Sequence, residues 1–275
     1  MTPECEVRTR VRFDLSDRIA VVTGAAGQLG GQYAAALADA GARVAAFDVA
    51  PENPKSALAN LPTDRVMTAA VDVSRKASIE EGLAAVRARF GEPSILINNA
   101  AIDAPPNAGR NDTGPFETYQ EASWRAMVDV NLTGVFLCCQ VVGGAMAAGR
   151  GGSIINISSI YGLLSPDQRI YEDQRRDTPF VKPAAYSATK AGILNLTRYL
   201  ATYWAARNVR VNTLTLGGVY NRQDDLFVKR YSQKVPLGRM ARPDEYNAAV
   251  LFLCSDASSY MTGANLVVDG GYSCW

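Results

Sequence analysis

The chain contains no histidine. That excludes every His-dependent catalytic triad and the common His-ligated catalytic zinc sites. Proton transfer near neutral pH is left to some other group with a displaced pKa. Cysteine is scarce: Cys5, Cys138, Cys139, Cys254 and Cys274 make an odd set of five with no C-x-x-C spacing. A disulfide framework or structural zinc site is not expected. Cys138, Cys139 and Cys254 fall in apolar helical stretches and read as small core residues. An excess of one charge is also missing, since 28 Lys and Arg against 27 Asp and Glu leave +1. Nothing suggests a nucleic-acid or anionic-membrane partner. No segment reads as long and apolar enough to cross a bilayer. The first dozen residues carry charges of both signs, unlike a signal peptide. The expectation is a cytoplasmic protein with no membrane partner.

What is present is alternation. Apolar, strand-like runs over 19–22, 44–47, 66–71, 94–97, 153–157, 209–214 and 265–268 are separated by helical patterns over 28–40, 78–90, 124–148, 184–207 and 243–253. Strands apolar throughout, with helices between them, predict an α/β fold: a doubly wound parallel sheet covered on both faces in three layers. Composition and length are compatible with one domain over 15–275, preceded by an extension over 1–14. Two stretches, 101–115 and 164–183, look irregular. Ligands of such sheets bind beyond the carboxyl ends of the strands, and the chemistry-bearing motifs fall just after strands.

The first strand runs into Thr23-Gly24-Ala25-Ala26-Gly27-Gln28-Leu29-Gly30. Glycines here let the backbone turn sharply and approach a pyrophosphate, and the next helix offers free N–H groups. Asp48 ends the second strand, within the usual reach of roughly 20 residues from such a loop. Its carboxylate can accept hydrogen bonds from ribose hydroxyls and would repel a 2′-phosphate. With no Arg or Lys inside the glycine loop, NAD is expected rather than NADP. Asp72-Val73 after the third strand can contact adenine. Asn98-Asn99-Ala100-Ala101 after the fourth can run along the cofactor. Each of these also fits plain loop chemistry.

Tyr186 and Lys190 are spaced i, i+4 at the start of a helix, so phenol and ammonium share one face. A nearby cation lowers a phenol's pKa. A tuned Tyr186 can take a proton from an alcohol as hydride leaves its carbon, or return one to a ketone. The spacing by itself is also that of an ordinary amphipathic helix. The ordered set, however, resembles the short-chain dehydrogenase/reductase family from about Leu15 to Gly271: Thr23 to Gly30, Asp48, Asp72, Asn98-Asn99-Ala100, Asn131 in Val130-Asn131-Leu132-Thr133-Gly134, Ile157-Ser158-Ser159, Tyr186 with Lys190, and Val267-Val268-Asp269-Gly270-Gly271.

The resemblance implies a Rossmann-type oxidoreductase acting on a small molecule. It implies that Ser159 holds the substrate oxygen, with Ser158 as the alternative, and that Lys190 also holds the nicotinamide ribose. It further implies that Asn131 positions a water linking Lys190 to solvent. Gly24, Gln28, Leu29, Gly30, Asp48, Asp72, Val73, Asn99, Ala100, Tyr186, Lys190, Val219 and Asn221 are then the cofactor contacts. Dimers or tetramers joined through the helices at 124–148 and 184–207 are implied as well.

Three departures are local: Ala101 stands where the family has glycine, Leu216-Gly217 replaces Pro-Gly, and Asn221 replaces a threonine. The largest is an insertion, because Ser159 and Tyr186 are 27 residues apart, roughly twice the family spacing. It carries Asp167, Arg169, Tyr171, Glu172, Asp173, Arg175, Arg176, Asp177 and Lys182 and should border the substrate pocket. The expectation is a polar, sugar-like substrate, with Arg169, Arg175 or Arg176 binding an anion. A solvated loop of mutually paired charges is equally open. The run from Ile160-Tyr161-Gly162 to Arg169-Ile170-Tyr171-Glu172 resembles a subgroup associated with bacterial surface-sugar biosynthesis. Residues 217–238 are the second expected lid, with Tyr220 facing substrate. Two competing functions are a catalytically silent NAD-binding sensor or scaffold, and an epimerase or dehydratase that recycles NAD.

Overall fold

The computed structural model describes residues 13–52, 57–103, 113–172 and 180–275. Arg175, Arg176, Asp173 and Asp177 of the insertion lie outside them.

Seven strands form one all-parallel sheet: β1 (Ile19–Thr23), β2 (Arg43–Asp48), β3 (Val66–Ala70), β4 (Ile95–Asn98), β5 (Gly152–Ser159), β6 (Val209–Leu216) and β7 (Asn265–Val268), in the order β3-β2-β1-β4-β5-β6-β7. The central strands have no wet face. Every residue of β1 and β4 is buried, which is why their sequences read as unbroken apolar runs. Strand order reverses between β1 and β4, and that switch point opens a crevice at the carboxyl ends.

Helices cover both faces: α1 (Gln28–Asp39), α2 (Lys76–Arg89), α3 (Glu121–Ala148), α4 (Ala184–Trp204), α5 (Asp225–Ser232) and α6 (Asn247–Cys254). One core lies under α1 and α6, around Tyr33, Leu37, Ile97, Ile155, Leu214 and Val250. The other lies under α2, α3 and α4, around Phe47, Leu96, Val135, Met146, Ile154 and Trp204. Sheet and two helix layers make the predicted three-layer, Rossmann-type single domain.

Helix α3 corrects the reading that no segment is apolar and long enough to cross a bilayer. Over 28 residues it contains a stretch of mean hydropathy 1.6, sufficient by length and composition. Its apolarity is explained by packing. Met127, Val135, Cys138, Cys139, Val142 and Met146 are buried in it. Two π turns, Asp129–Thr133 and Cys139–Gly143, shift its buried face.

A third, smaller cluster sits above the crevice. Ile160, Tyr161 and Ile170 from the region after β5 pack with Tyr231 and Val235 of the expected lid, with Met240 just beyond it and with Tyr272. The lid contains a helix that periodicity did not announce, α5, whose N-cap Asp224 accepts from Leu226 N at 2.9 Å.

Candidate active site

The turn after β1 has one allowed solution. Gly24 adopts φ +63°, and a side chain there would stand 2.7 Å from Ala100 Cα. At Gly30, a Cβ would stand 2.2 Å from Gly24 O. Helix α1 therefore starts in contact with the turn. Its N-cap is Gly27, with no side-chain cap, so its first turn faces the crevice undecorated. Neighbouring strand ends are tied to the same turn. Thr23 Oγ1 accepts from Asn99 N and Ala100 N at 3.0 Å each, and Asn99 Nδ2 donates to Thr23 O and Gly24 O at 3.0 and 3.1 Å.

Asp48, at the end of β2, accepts from Ala26 N at 2.9 Å and from Ala50 N at 3.0 Å. That places its carboxylate at the glycine turn. Asp72 forms a local turn, accepting from Ser74 N and Ser74 Oγ at 2.9 and 2.7 Å. Val73 is buried against Gly134 of α3. Gln28 donates to Tyr220 O at 3.1 Å, so it bridges the glycine turn to the lid.

A cavity of about 570 Å³ continues from the glycine turn (Leu29, Asn99) past Ser159, Tyr186 and Lys190 to the insertion and α5. Three of the four expected catalytic side chains converge there; Asn131 does not line it. Ser158 and Ser159 divide their tasks. Ser158 Oγ donates to Lys190 O at 2.8 Å, anchoring α4 to β5. Ser159 Oγ accepts from Tyr161 N at 3.2 Å and is hydrogen-bonded to the Tyr186 phenol. Lys190 Nζ lies 5.8 Å from the Tyr186 ring centre and donates to Ile157 O at 2.9 Å.

The electrostatics correct one expectation. The Tyr186 phenol is pushed up, not down: burial dominates, the Asp103 carboxylate adds to it, and only the Ser159 hydrogen bond opposes. Lys190 is brought down to about 8 by burial, opposed by Asp103. Desolvation of a half-buried phenol outweighs a cation that is itself desolvated and engaged with a carbonyl.

Asn131 is fully buried at the first π turn of α3. Its Oδ1 accepts from Ile102 N and its Nδ2 donates to Ile102 O, both at 2.8 Å. This side chain clamps the loop after β4.

Three expected contacts do not line this cavity. Arg169 is 80% exposed and paired with Asp167 through Nε and Nη2, each at 2.8 Å. Asp167, also paired with Lys234, is held well below the usual carboxylate range. The Arg169 guanidinium is thus engaged outside the cavity wall. Tyr220 is 47% exposed and offers its backbone carbonyl to Gln28. Asn221 is exposed, and its backbone N–H donates to Gln223 Oε1 at 2.7 Å. Gln223, which sequence reasoning passed over, lines the cavity and donates to Val219 O at 2.7 Å.

Two further features were legible in the sequence only as members of the insertion and the lid. Lys182 lines the cavity with its ammonium 4.5 Å from the Tyr186 ring centre, ion-paired to Asp103. Tyr171, Phe180 and Phe227 form an aromatic wall, with neighbouring centroids 5.3 and 5.2 Å apart.

The residues fit a dinucleotide: a glycine turn with an uncapped helix behind it, a carboxylate at the next strand end, and a cavity leading to a half-buried phenol. Comparison with known proteins agrees. The family model described as enoyl-(acyl carrier protein) reductase matches residues 24–273. The chain is 35% identical over 280 residues to a D-threitol dehydrogenase of Mycolicibacterium smegmatis, covering 99% of both. It superposes with a TM-score of 0.83 on a short chain dehydrogenase of Leptospira borgpetersenii with bound NAD+, at 33% identity, covering 96% of this chain and 95% of that one. It superposes at 0.82 on a gluconate 5-dehydrogenase of Burkholderia cenocepacia in complex with NADP and tartrate, at 30% identity and 97% and 99% coverage. The chain belongs to the short-chain dehydrogenase/reductase family, as an oxidoreductase that interconverts a secondary alcohol and a ketone by hydride transfer with a nicotinamide cofactor.

Proposed function

We propose that the protein is an NAD-dependent dehydrogenase of a small polyol, with Tyr186 as acid/base. The observation that carries this reading is the convergence of Ser159, Tyr186 and Lys190 on one cavity that begins at the glycine turn. NAD supplies the hydride acceptor when bound. Gly24, Leu29, Gly30, Asn99, Ala100 and Val219 would border it, with Asp72 and Val73 beside the adenine. Asp48, anchored at Ala26, favours ribose hydroxyls over a 2′-phosphate. Lys190 would hold the nicotinamide ribose.

Ser159 holds the reacting oxygen beside the phenol, and Tyr186 takes its proton during oxidation or returns it during reduction. Lys190 places positive charge near the phenolate, the form that accepts the proton in oxidation and is left behind in reduction, and offsets part of its burial cost. Asn131 fixes the loop at Ile102 and so the floor of the cavity. Helix α5 and the insertion close the far side. The polyol assignment is supported by Asp103, Lys182, Glu172 and Gln223 on the cavity wall and by the similarity to a threitol dehydrogenase.

Assembly through the two long helices is supported by their exposed aromatic side chains: Phe136 on α3, and Tyr199 and Tyr203 on α4, are 46%, 63% and 59% exposed. The four described cysteines are free thiols, which supports a reducing compartment such as the cytoplasm.

The test is an initial-rate screen of polyols and sugars with NAD and with NADP, beside Tyr186→Phe. Turnover with NAD should fall about 10²- to 10⁴-fold in the variant, with NAD binding retained. A variant that still turns over like the parent would remove Tyr186 from the chemistry. A preference for NADP would overturn the reading of Asp48.

A further inference from the structure

One charged pair on the cavity wall does not itself carry the transferred proton, although Asp103 raises the pKa of the Tyr186 phenol. Lys182, supplied by the insertion, has a side chain only 10% exposed, while that of its partner Asp103 is 59% exposed. The lysine's position is built. Its backbone N–H donates to Gln168 Oε1 at 2.9 Å, and its carbonyl accepts from Gln168 Nε2 at 3.3 Å. Its ammonium lies 4.5 Å from the Tyr186 ring centre and 5.8 Å from that of Tyr161. Burying an ammonium this far is costly unless it is paired. The pairing carboxylate is turned toward the open cavity, where both residues line the wall.

The chemistry of this pair is specific. Asp103 accepts hydrogen bonds and Lys182 donates them. A single hydroxyl beside the pair can meet both, donating a hydrogen bond to the carboxylate and accepting one from the ammonium. An anionic substituent would have to displace Asp103. The reacting carbon must sit at the Ser159 and Tyr186 hydroxyls. The pair stands beside that same phenol ring, its ammonium 4.5 Å from the ring centre, within reach of a substituent on the carbon next to the reacting one.

We propose that Asp103 and Lys182 recognise a hydroxyl on the carbon next to the reacting alcohol, making the substrate a vicinal diol and the product an α-hydroxy ketone. This rests on the dehydrogenase reading above. Across the cavity, Tyr171, Phe180 and Phe227 offer an aromatic wall for the C–H face of such a substrate. A mono-alcohol would cover the pair without hydrogen-bonding it. Sites built to bond a hydroxyl can reject analogues lacking it by 10⁴-fold or more, but Asp103 keeps contact with water, so a preference of about 10- to 1000-fold is expected.

The experiment compares kcat/KM with NAD for cyclohexane-1,2-diol against cyclohexanol, and for butane-2,3-diol against butan-2-ol. It uses the parent protein, Asp103→Asn and Lys182→Met, each checked for NAD binding and a cooperative melt. The parent should favour both diols at least about tenfold. Asp103→Asn should erase most of that preference, chiefly by raising the diol KM, and Lys182→Met should act in the same direction. Parity between diol and mono-alcohol in the parent overturns the proposal without any variant, and leaves the dehydrogenase reading standing. A preference that survives intact in a folded variant overturns the assignment to that residue. If no alcohol of the panel or of the wider polyol screen is oxidised, the dehydrogenase reading itself fails and takes this proposal with it.

Discussion

Replacing Lys190 with methionine should stabilise the cofactor-free protein at pH 7 while abolishing its activity. The Lys190 side chain is 4% exposed, and burial lowers its pKa from 10.5 to about 8. At roughly 1.4 kcal/mol per pH unit, holding the ammonium in that site at pH 7 costs about 3 kcal/mol relative to the unfolded chain. Methionine removes that cost. It also removes the hydrogen bond to Ile157 O, a loss of about 1–2 kcal/mol for a buried carbonyl left without this donor. The net gain is about 1–2 kcal/mol at pH 7, a rise of a few degrees in Tm for a chain of this size.

The sign must change with pH. Between about 8 and 10.5 the unfolded chain keeps the proton that the native lysine has lost. The parent therefore gains stability as pH rises through that window. Above it, the lysine is neutral in both states and only the hydrogen bond distinguishes the two proteins, so the variant becomes the weaker by about 1–2 kcal/mol. Urea unfolding of parent and variant at pH 7 and above pH 10.5 measures both differences, with other titrations cancelling between them. A variant less stable than the parent at pH 7, or a difference independent of pH, would refute the claim that Lys190 is held at a desolvation cost.

Two other outcomes follow from the same geometry. Because burial raises the Tyr186 pKa, the phenol is protonated near neutrality. Alcohol oxidation should accordingly climb with pH while ketone reduction stays level, read as log(kcat/KM) between pH 6 and 9; an oxidation profile flat over that range would mean another group moves the proton. Gly30→Ala puts a methyl 2.2 Å from Gly24 O, which must open the turn. NAD affinity measured by fluorescence titration should fall by about tenfold or more (about 1.4 kcal/mol), and unaltered affinity would show that this turn does not shape the dinucleotide site.

The sheet was legible because its central strands are buried on both faces and spell themselves as apolar runs. Where strands carry polar residues the reading stopped short. β5 runs on to Ser159 and β6 to Leu216, past Ser158 and Thr215, which are buried and find partners in Lys190 O and Asn265 Oδ1. Helix α6 begins at Asn247 rather than at 243, because Arg242 to Tyr246 form turns held by Glu245 Oε2 on Arg242 N at 2.7 Å. A polar chain linking three strands and α4 also gave no signal: Asn98 Nδ2 donates to Asn156 Oδ1 at 2.8 Å, Asn156 Nδ2 to Thr197 Oγ1 at 2.9 Å, and Thr213 Oγ1 to Thr197 Oγ1 at 2.8 Å. In a sequence such residues look like strand interruptions. Their burial becomes affordable only when the fold brings them together.

The insertion shows where sequence reading loses its grip on function. Its position between Ser159 and Tyr186 was enough to place it at the cavity, since both ends of the segment are anchored there. Which of its charges enters the cavity depends on pairing at the rim. Arg169 was the attractive choice on chemistry, having the planar donor set that suits anions. Yet Asp167, two residues before it, engages that guanidinium and Lys234 competes for the same carboxylate, so the cluster neutralises itself in water. Among the described residues, Lys182 has no such neighbour close by in the chain. Its partner, Asp103, comes from the loop after β4, 79 residues earlier, and that long-range pairing is what allows an ammonium to remain beside the Tyr186 ring. A cation paired locally stays at the surface, whereas one whose counter-charge arrives from another strand end is drawn in over the site. That pairing makes Lys182 rather than any arginine of the described insertion the residue whose replacement should alter substrate choice.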